Sequence, residues 1–367
     1  MKEKTKGDTM SETKRTVALI YGGRGHEAAV SVSGAEYAWS LLYDRYDILP
    51  VYIAKDGRWL TAAKSTNTPY PCRDFSKIHR KILQNEVPIF PYLDAKGSAM
   101  MLDGEPIKID AAIPLLHGDF GEDGTVQGAL TNARIKYVGC DVYTGSLCMD
   151  KLNTKLIAAS YGANIANFVK RIAYSTEEIP ELIKEAEAEL EYPMFVKPNR
   201  LGSSVGASLA TSKEELSAAL HRAVSTGGGA LVEESVDILR EAECAVYKTA
   251  RLEIISDVGG IAVDGGFYDY DRKYSGSTGA NVYGVLQIDG DIRHKIREQT
   301  RKLARALRIR HLSRFDYFIT RDNRIIFNEI NTFPGFTSGS LWPKLIENTG
   351  LCAGDALSGL IEDALAE

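Results

Sequence analysis

The stretch SRFDYFITRDNRIIFNEINTFPGF, residues 313–336, concentrates side chains that can do chemistry. It reads as a tight hairpin with a two-residue turn at Asp322-Asn323, so that Arg321 pairs with Arg324. Counting back along both strands sets Asp316 opposite Glu329 and Arg314 opposite Asn331. Like charges directly opposite on a sheet repel. In this register Phe318, Ile325 and Phe327 share the same face, which argues for burial. Alternate strand residues share a face, so two carboxylates and an amide point at one spot as hard oxygen donors. Mg2+ takes such donors, using one or two carboxylates and filling its other positions with water and phosphate. The competing reading is an edge hairpin with incidental acids. Only a divalent cation turns the local repulsion into binding energy.

A metal–phosphate site also needs cations and backbone donors. No G-x-x-x-x-G-K-[ST] pattern occurs, and GGRGHE (22–27) is not G-x-G-x-x-G, so the P-loop and dinucleotide fingerprints are missing. Instead Lys197 ends a strand and is followed by RLGSSVG (200–206). Small residues let backbone N–H groups approach phosphate oxygens closely. Lys151, opening a helix after LCMD, and Lys273 in FYDYDRKY are isolated lysines that, taken singly, fit a surface better than a phosphate.

These side chains must be placed by ordinary elements. TVALIYGG (16–23) is a short buried strand ending in a glycine turn, HEAAVSVSGAEYAWSLL runs at helical spacing, and DILPVYIA is a second strand. Strand, glycine turn, helix, strand opens an α/β domain. Residues 64–108, with five prolines, read as polar and irregular. DAAIPLL (110–116) is another buried strand that delivers HGDFGEDG at its carboxyl end, where ligands of open α/β sheets bind. A second unit starts near 140: the helix MDKLNTKLIAASYG, then strand, loop and strand in YPMFVKPNRLGSSVGASLA. It continues with a helix opened by a Ser212–Glu215 capping box and the strand ALVEESV. A third, mostly antiparallel unit takes in REAECAVYKTARLEII and the 313–336 hairpin. Its helix carries Ile292, Ile296, Leu303 and Leu307 on one stripe, which is core rather than a nucleic-acid surface. There are no internal repeats.

The bulk properties agree with an ordinary globular chain. With 367 residues there is room for two or three domains, and a formal net charge of −5 argues against a nucleic-acid binder. The start, MKEKTKGDTMSETKRT, has no apolar core, so it reads as a disordered tail (1–15) and not a signal peptide, with Met10 as an alternative start. No apolar run is long enough to span a bilayer. Five scattered cysteines without CxxC spacing read as reduced core thiols, which suits the cytoplasm.

In combination the segments LLHGDFGEDG, CMDK, FVKPNRLGSSVG, FYDYDRKY, RFDYF and NEINTFPGFTSGSLWPKL resemble the D-alanine–D-alanine ligases of the ATP-grasp superfamily, from about residue 16 to the end. The resemblance implies an N-terminal Rossmann-like open-sheet domain (16–139), a central ATP-grasp domain (140–236) and a C-terminal one carrying the metal site (237–367). It implies Mg2+ or Mn2+ on Asp316, Glu329 and Asn331, and ATP held by Lys151, Lys197, Lys273 and Ser204. Glu233 and Glu241 match the acids at adenine and ribose, with Glu234 and Val236 beside the base; Glu243 shares the strand face of Glu241. Glu27 matches the acid that receives the first substrate's ammonium, completed by Ser203 and Tyr274, with His117 nearby. Arg314 and the Gly335 N–H match the oxyanion donors. Ser340, with the backbone of Leu341, matches the group holding the second substrate's carboxylate. The loop from Tyr268 to about Thr278 is expected to close over the site.

The implied reaction joins two D-alanines through an acyl phosphate, for peptidoglycan synthesis, in a cytoplasmic homodimer. Departures from the family pattern are Gly25 for serine, Ala28-Ala29 for His-Glu, Leu201 for an acid and Gly339 for a frequent histidine. Tyr274 and an apolar Leu341 favour D-alanine as second substrate. D-serine or D-lactate, as in vancomycin-resistance relatives, is the alternative, and an inactive nucleotide-binding regulator is a third reading.

Overall fold

A computed structural model describes residues 14–62, 72–94, 97–263 and 280–367. Its first sheet is built from β1 (Thr16–Gly22), β2 (Asp47–Ile53), β3 (Trp59–Thr61), β4 (Val87–Asp94), β5 (Gly97–Leu102), β6 (Glu105–Lys108), β7 (Ala111–Pro114) and β8 (Lys136–Tyr137). They lie in the order β6-β5-β4-β3-β2-β1-β7-β8, with β1, β2, β7 and β8 mutually parallel. Apolar on both faces, β1 sits at the centre of the parallel part, as strands covered on two sides do. The helix Ala28–Leu42 covers one face with Ala35, Ala38, Trp39 and Leu42. Because β1 and β7 are neighbours, the loops leaving their carboxyl ends, which carry Glu27 and His117, emerge side by side.

The region 64–108 is not irregular throughout. It contains the helix Phe75–Asn85, capped by Asp74 and buried through Phe75, Ile78 and Ile82, and then the hairpin strands β4 to β6. The prolines concealed this, but β3 pairs with β4 only as far as Pro88. Most of β4 is therefore edge, where a missing N–H is tolerated.

A second sheet, in the order β10-β9-β11, consists of β9 (Met194–Pro198), β10 (Ser208–Ala210) and β11 (Ala230–Glu234), all antiparallel. The helices Ile179–Glu189 and Lys213–Ser225 pack their apolar sides on it. Ser212 caps the latter helix through Glu215 N, but the Glu215 carboxylate bonds Thr211, one residue before the box expected.

The third sheet, in the order β14-β13-β12-β15-β16, comprises β12 (Ile238–Lys248), β13 (Glu253–Val263), β14 (Ala280–Tyr283), β15 (His311–Thr320) and β16 (Ile325–Asn331). Ile296 and Leu303 of the helix Gly290–Ala306, and Leu307 just after it, bury against it, with Ile292 partly covered. The last helix, Ala353–Ala366, returns to the first sheet, where Leu357, Leu360 and Ile361 join Val17, Leu19 and Trp39. Ala245 and Leu312 belong to the same cluster, so one core couples the first and third sheets.

The β15–β16 hairpin corrects the turn expected from sequence. Thr320 N–H donates to Arg324 O at 3.0 Å, leaving three turn residues, Arg321 to Asn323, with Asn323 left-handed at φ 62°. From the turn inward Tyr317 faces Phe327, yet Asp316 faces Glu329, because Asn328 is an extra, bulged residue. Two single-residue errors cancel. The register at the acids is the one counted from the sequence, whereas Phe327 and Ile325 turn to the core face, away from Phe318.

Candidate active site

Across β12, β15 and β16, the positions Glu243, Asp316 and Glu329 are directly paired, so three carboxylates form one lateral row. The next row is Ala245, Arg314 and Asn331. The Arg314 guanidinium meets Asp316 through Nε and NH2 at 2.7 Å each, and Glu243 Oε2 at 2.7 Å. Asn331 Nδ2 donates to Asp316 Oδ2 at 3.0 Å, and Lys151 Nζ lies 3.3 Å from Glu329 Oε2. The sheet therefore concentrates acids and supplies a fixed cation between them. Glu243, buried at 5% exposure, is more deeply engaged than its sequence reading as a strand-face neighbour suggested. Asp316, Glu329 and Asn331 offer hard oxygens on one face, a donor set that suits Mg2+.

Lys151 opens the helix Lys151–Ser160 and also donates to Leu201 O at 2.6 Å, inside the small-residue loop. Lys197, at the end of β9, lies 3.0 Å from Glu233 Oε2 and donates to Asn328 Oδ1 at 3.1 Å. Asn328 is thus the bulge residue turned to use. Glu233 also pairs with the buried Lys155 at 3.2 Å. Burial alone would raise the Glu233 carboxyl, but Lys155 and Lys197 outweigh it and hold it below its usual range. Lys155, buried and sharing this acid with Lys197, is pushed down to about 8. Glu233 is committed to two ammonium groups. The Glu234 carboxylate is taken by Asn167 N and Nδ2 at 2.9 and 3.0 Å. Val236 lies in the link between β11 and β12, and Glu241 stands one row beyond Glu243, opposite Phe318. Lys155 and Asn328 escaped the sequence reading, although the four-residue spacing of Lys151 and Lys155 puts both on one helix face.

On the other side Glu27 precedes the helix Ala28–Leu42 and accepts a hydrogen bond from Ser203 Oγ. Ser203 and Ser204 are both left-handed, at φ 54° and 57°, which bends the loop towards Glu27. Glycines make room: a Cβ at Gly118 would stand 2.6 Å from Glu27 Oε2, and one at Gly202 3.1 Å. A side chain at Gly25 would collide with the Asp119 carboxylate, so that departure from the family pattern is filled from another loop. His117, 7% exposed, bonds Phe333 O through Nδ1 at 2.9 Å, and burial lowers its basicity. Glu122 went unnoticed in HGDFGEDG. It accepts from Phe333 N at 2.8 Å and Gly118 N at 2.9 Å, and burial pushes its carboxyl up to about 8.

Gly335 follows, packed so that a Cβ would lie 3.2 Å from Ser340 Oγ. That hydroxyl accepts from Thr337 N at 2.9 Å and holds the turn before the helix Leu341–Glu347. The Leu341 side chain is buried with Phe336 and Trp342. Lys273, Tyr274 and the loop from Tyr268 to Thr278 lie outside the described residues.

Away from this site, one group of three possible metal ligands occurs among the described residues: His311, Asp363 and Glu367. Gly139 N–H donates to His311 Nδ1 at 2.8 Å, so in the neutral ring Nε2 carries the proton and faces Asp363 at 3.4 Å. A protonated nitrogen cannot ligate a metal, and this cluster is a structural tie.

An open mixed sheet with a parallel centre beside two antiparallel sheets, with acids and lysines gathered between them, is the architecture of the ATP-grasp ligases. Family models for the D-ala D-ala ligase N-terminus and C-terminus match residues 16–140 and 157–362. The chain belongs to the D-alanine–D-alanine ligase family. Among curated relatives, the D-alanine–D-alanine ligase of Chlorobium luteolum is 38% identical over 91% of this chain and 92% of its own length. That of Proteus mirabilis is 35% identical over 96% of each chain. Among solved structures, the VanG D-Ala:D-Ser ligase from Enterococcus faecalis has a TM-score of 0.83 at 31% identity, covering 96% of this chain and 100% of its own.

Proposed function

We propose that this chain uses ATP to join two D-alanines into D-alanyl-D-alanine for peptidoglycan precursors, as a cytoplasmic homodimer with units at 16–139, 140–236 and 237–367. The observation that carries this reading is the row Glu243–Asp316–Glu329 with Arg314 seated in it, opposite the Glu27–Ser203 pair. Such a site holds a carboxylate substrate by its ammonium on one side and meets phosphates with cations on the other. Asp316, Glu329 and Asn331 would hold Mg2+ or Mn2+, which when bound neutralises phosphate charge.

The first D-alanine anchors its ammonium on Glu27. Its carboxylate oxygen attacks the γ-phosphorus and ADP leaves. Charge on the transferring group is met by Lys151 and Lys197, and such fixed electrostatics dominate phosphoryl transfer. The second amine, having lost a proton, then attacks the carbonyl carbon. Arg314 and the Gly335 N–H face the developing oxyanion, and collapse of the tetrahedral intermediate expels phosphate. The VanG likeness favours one second reading, in which D-serine is the second substrate. Phosphate release is to be measured with D-alanine alone, then with D-serine or D-lactate added, and the products identified by mass. D-alanyl-D-alanine from D-alanine alone is expected. A mixed product formed in preference selects the second reading, and no D-alanine-dependent phosphate defeats both.

A further inference from the structure

We propose that Glu122 is a positioning residue: one buried carboxyl spans two loops and sets where the first-substrate acid stands relative to the oxyanion segment. Its Oε2 accepts from the N–H of Gly118, the glycine whose missing Cβ makes room for Glu27 Oε2. Its Oε1 accepts from the N–H of Phe333, two residues before Gly335. The Phe333 carbonyl is held in turn by His117 Nδ1 at 2.9 Å. Both polar atoms of that residue's backbone are therefore clasped by side chains from the loop after β7, across a gap between two sheets.

The clasp has a chemical consequence. A carbonyl oxygen only accepts, so His117 Nδ1 carries the proton and Nε2 of the neutral ring is a lone pair. That Nε2 is buried and has no hydrogen-bond partner among the described residues. Glu27 and Arg314 are the charged groups that act on the ring, in opposite senses. Glu122, by fixing Phe333, holds His117 as an acceptor within electrostatic reach of Glu27 and Arg314. It touches no reacting atom itself.

The inference rests on the ligase reading, and wild-type turnover with D-alanine, measured alongside, separates a failure of that reading from a failure of this one. Glu122→Gln keeps the volume but turns an NH2 towards one of the two N–H donors. We expect kcat to fall about a hundredfold, as for a shift of about 1 Å in a reacting constellation. KM for ATP should stay within about twofold of wild type. Long-range proton–nitrogen spectra of protein labelled at histidine, assigned with His117→Gln, should show the wild-type ring protonated on Nδ1 and that preference lost in Glu122→Gln. A kcat within about twofold of wild type, or a loss shared equally by ATP affinity, overturns the proposal. So does a wild-type His117 protonated on Nε2, and this measurement decides the matter if the variant does not fold.

Discussion

At the scale of single residues, the site is organised by charge compensation. Arg314 sits between Glu243 and Asp316, and Lys151 meets Glu329, so each acid has a cation within 3.3 Å. Glu329→Gln keeps the shape and removes one negative charge from the donor set. It should lower kcat by at least about a hundredfold, the scale of losing one strong electrostatic contact to the transition state. Thermal unfolding should show a midpoint close to wild type; retention of near-full turnover in Mg2+ would refute the metal assignment. Glu122 gives a pH signature. Its carboxyl moves from the ordinary 4.5 to about 8 on folding. Between those values the folded chain keeps a proton that the unfolded chain has released, so stability falls as pH rises through this window. Denaturant unfolding across the window should show that fall, and Glu122→Gln should reduce it. An identical pH slope in both proteins would show that Glu122 does not titrate this way.

At the scale of elements, the hairpin shows how local chemistry and pairing trade off. The three-residue turn with left-handed Asn323 would by itself put β16 one residue out of register with the acids. The bulge at Asn328 restores it and presents Asn328 to Lys197. Side chains alternate with period two, so a one-residue slip exchanges the faces. Inserting an alanine between Asn328 and Glu329 should turn Glu329 and Asn331 towards the core and abolish turnover. Deleting Asn328, which removes only the extra residue and keeps Glu329 opposite Asp316, should cost far less. Equal activity losses in the two variants, measured at matched folded fraction, would contradict this account.

For the whole molecule, the decisive feature is that one core runs through the first and third sheets. The helix Ala353–Ala366 follows the third sheet in sequence but buries Leu357, Leu360 and Ile361 beside β1 and the helix Ala28–Leu42. Leu360 is fully buried there. Leu360→Ala should destabilise by about 2–5 kcal/mol, the usual cost of a large-to-small change in a packed core. Because the same cluster sets the Glu27 side against the Arg314 side, D-alanine KM should rise as well. Denaturant titration with parallel kinetics checks both, and a loss below about 1 kcal/mol would mean that the helix is only loosely docked.

The amino-acid sequence by itself determined most of the elements, the helix and strands of 75–108 excepted, and the chemistry of the acids. Counting from a turn placed one residue short put Asp316 opposite Glu329 only because the bulge at Asn328 cancelled the error, whereas continuous apolar runs marked β1 and β7. Motif order was enough to indicate the ligase family. What it could not determine were quantities that depend on distant backbone. The bulge at Asn328 is set by how β16 meets β15 and Lys197, and the burial of Leu341 by a core assembled from residues hundreds of positions apart. The clasp of Glu122 and His117 on Phe333 joins partners separated by more than two hundred residues. Local propensity acts over a few residues, whereas hydrogen bonds and packing act through space. Only the folded chain could decide which acid pairs with a serine, which binds lysine and which holds two loops together.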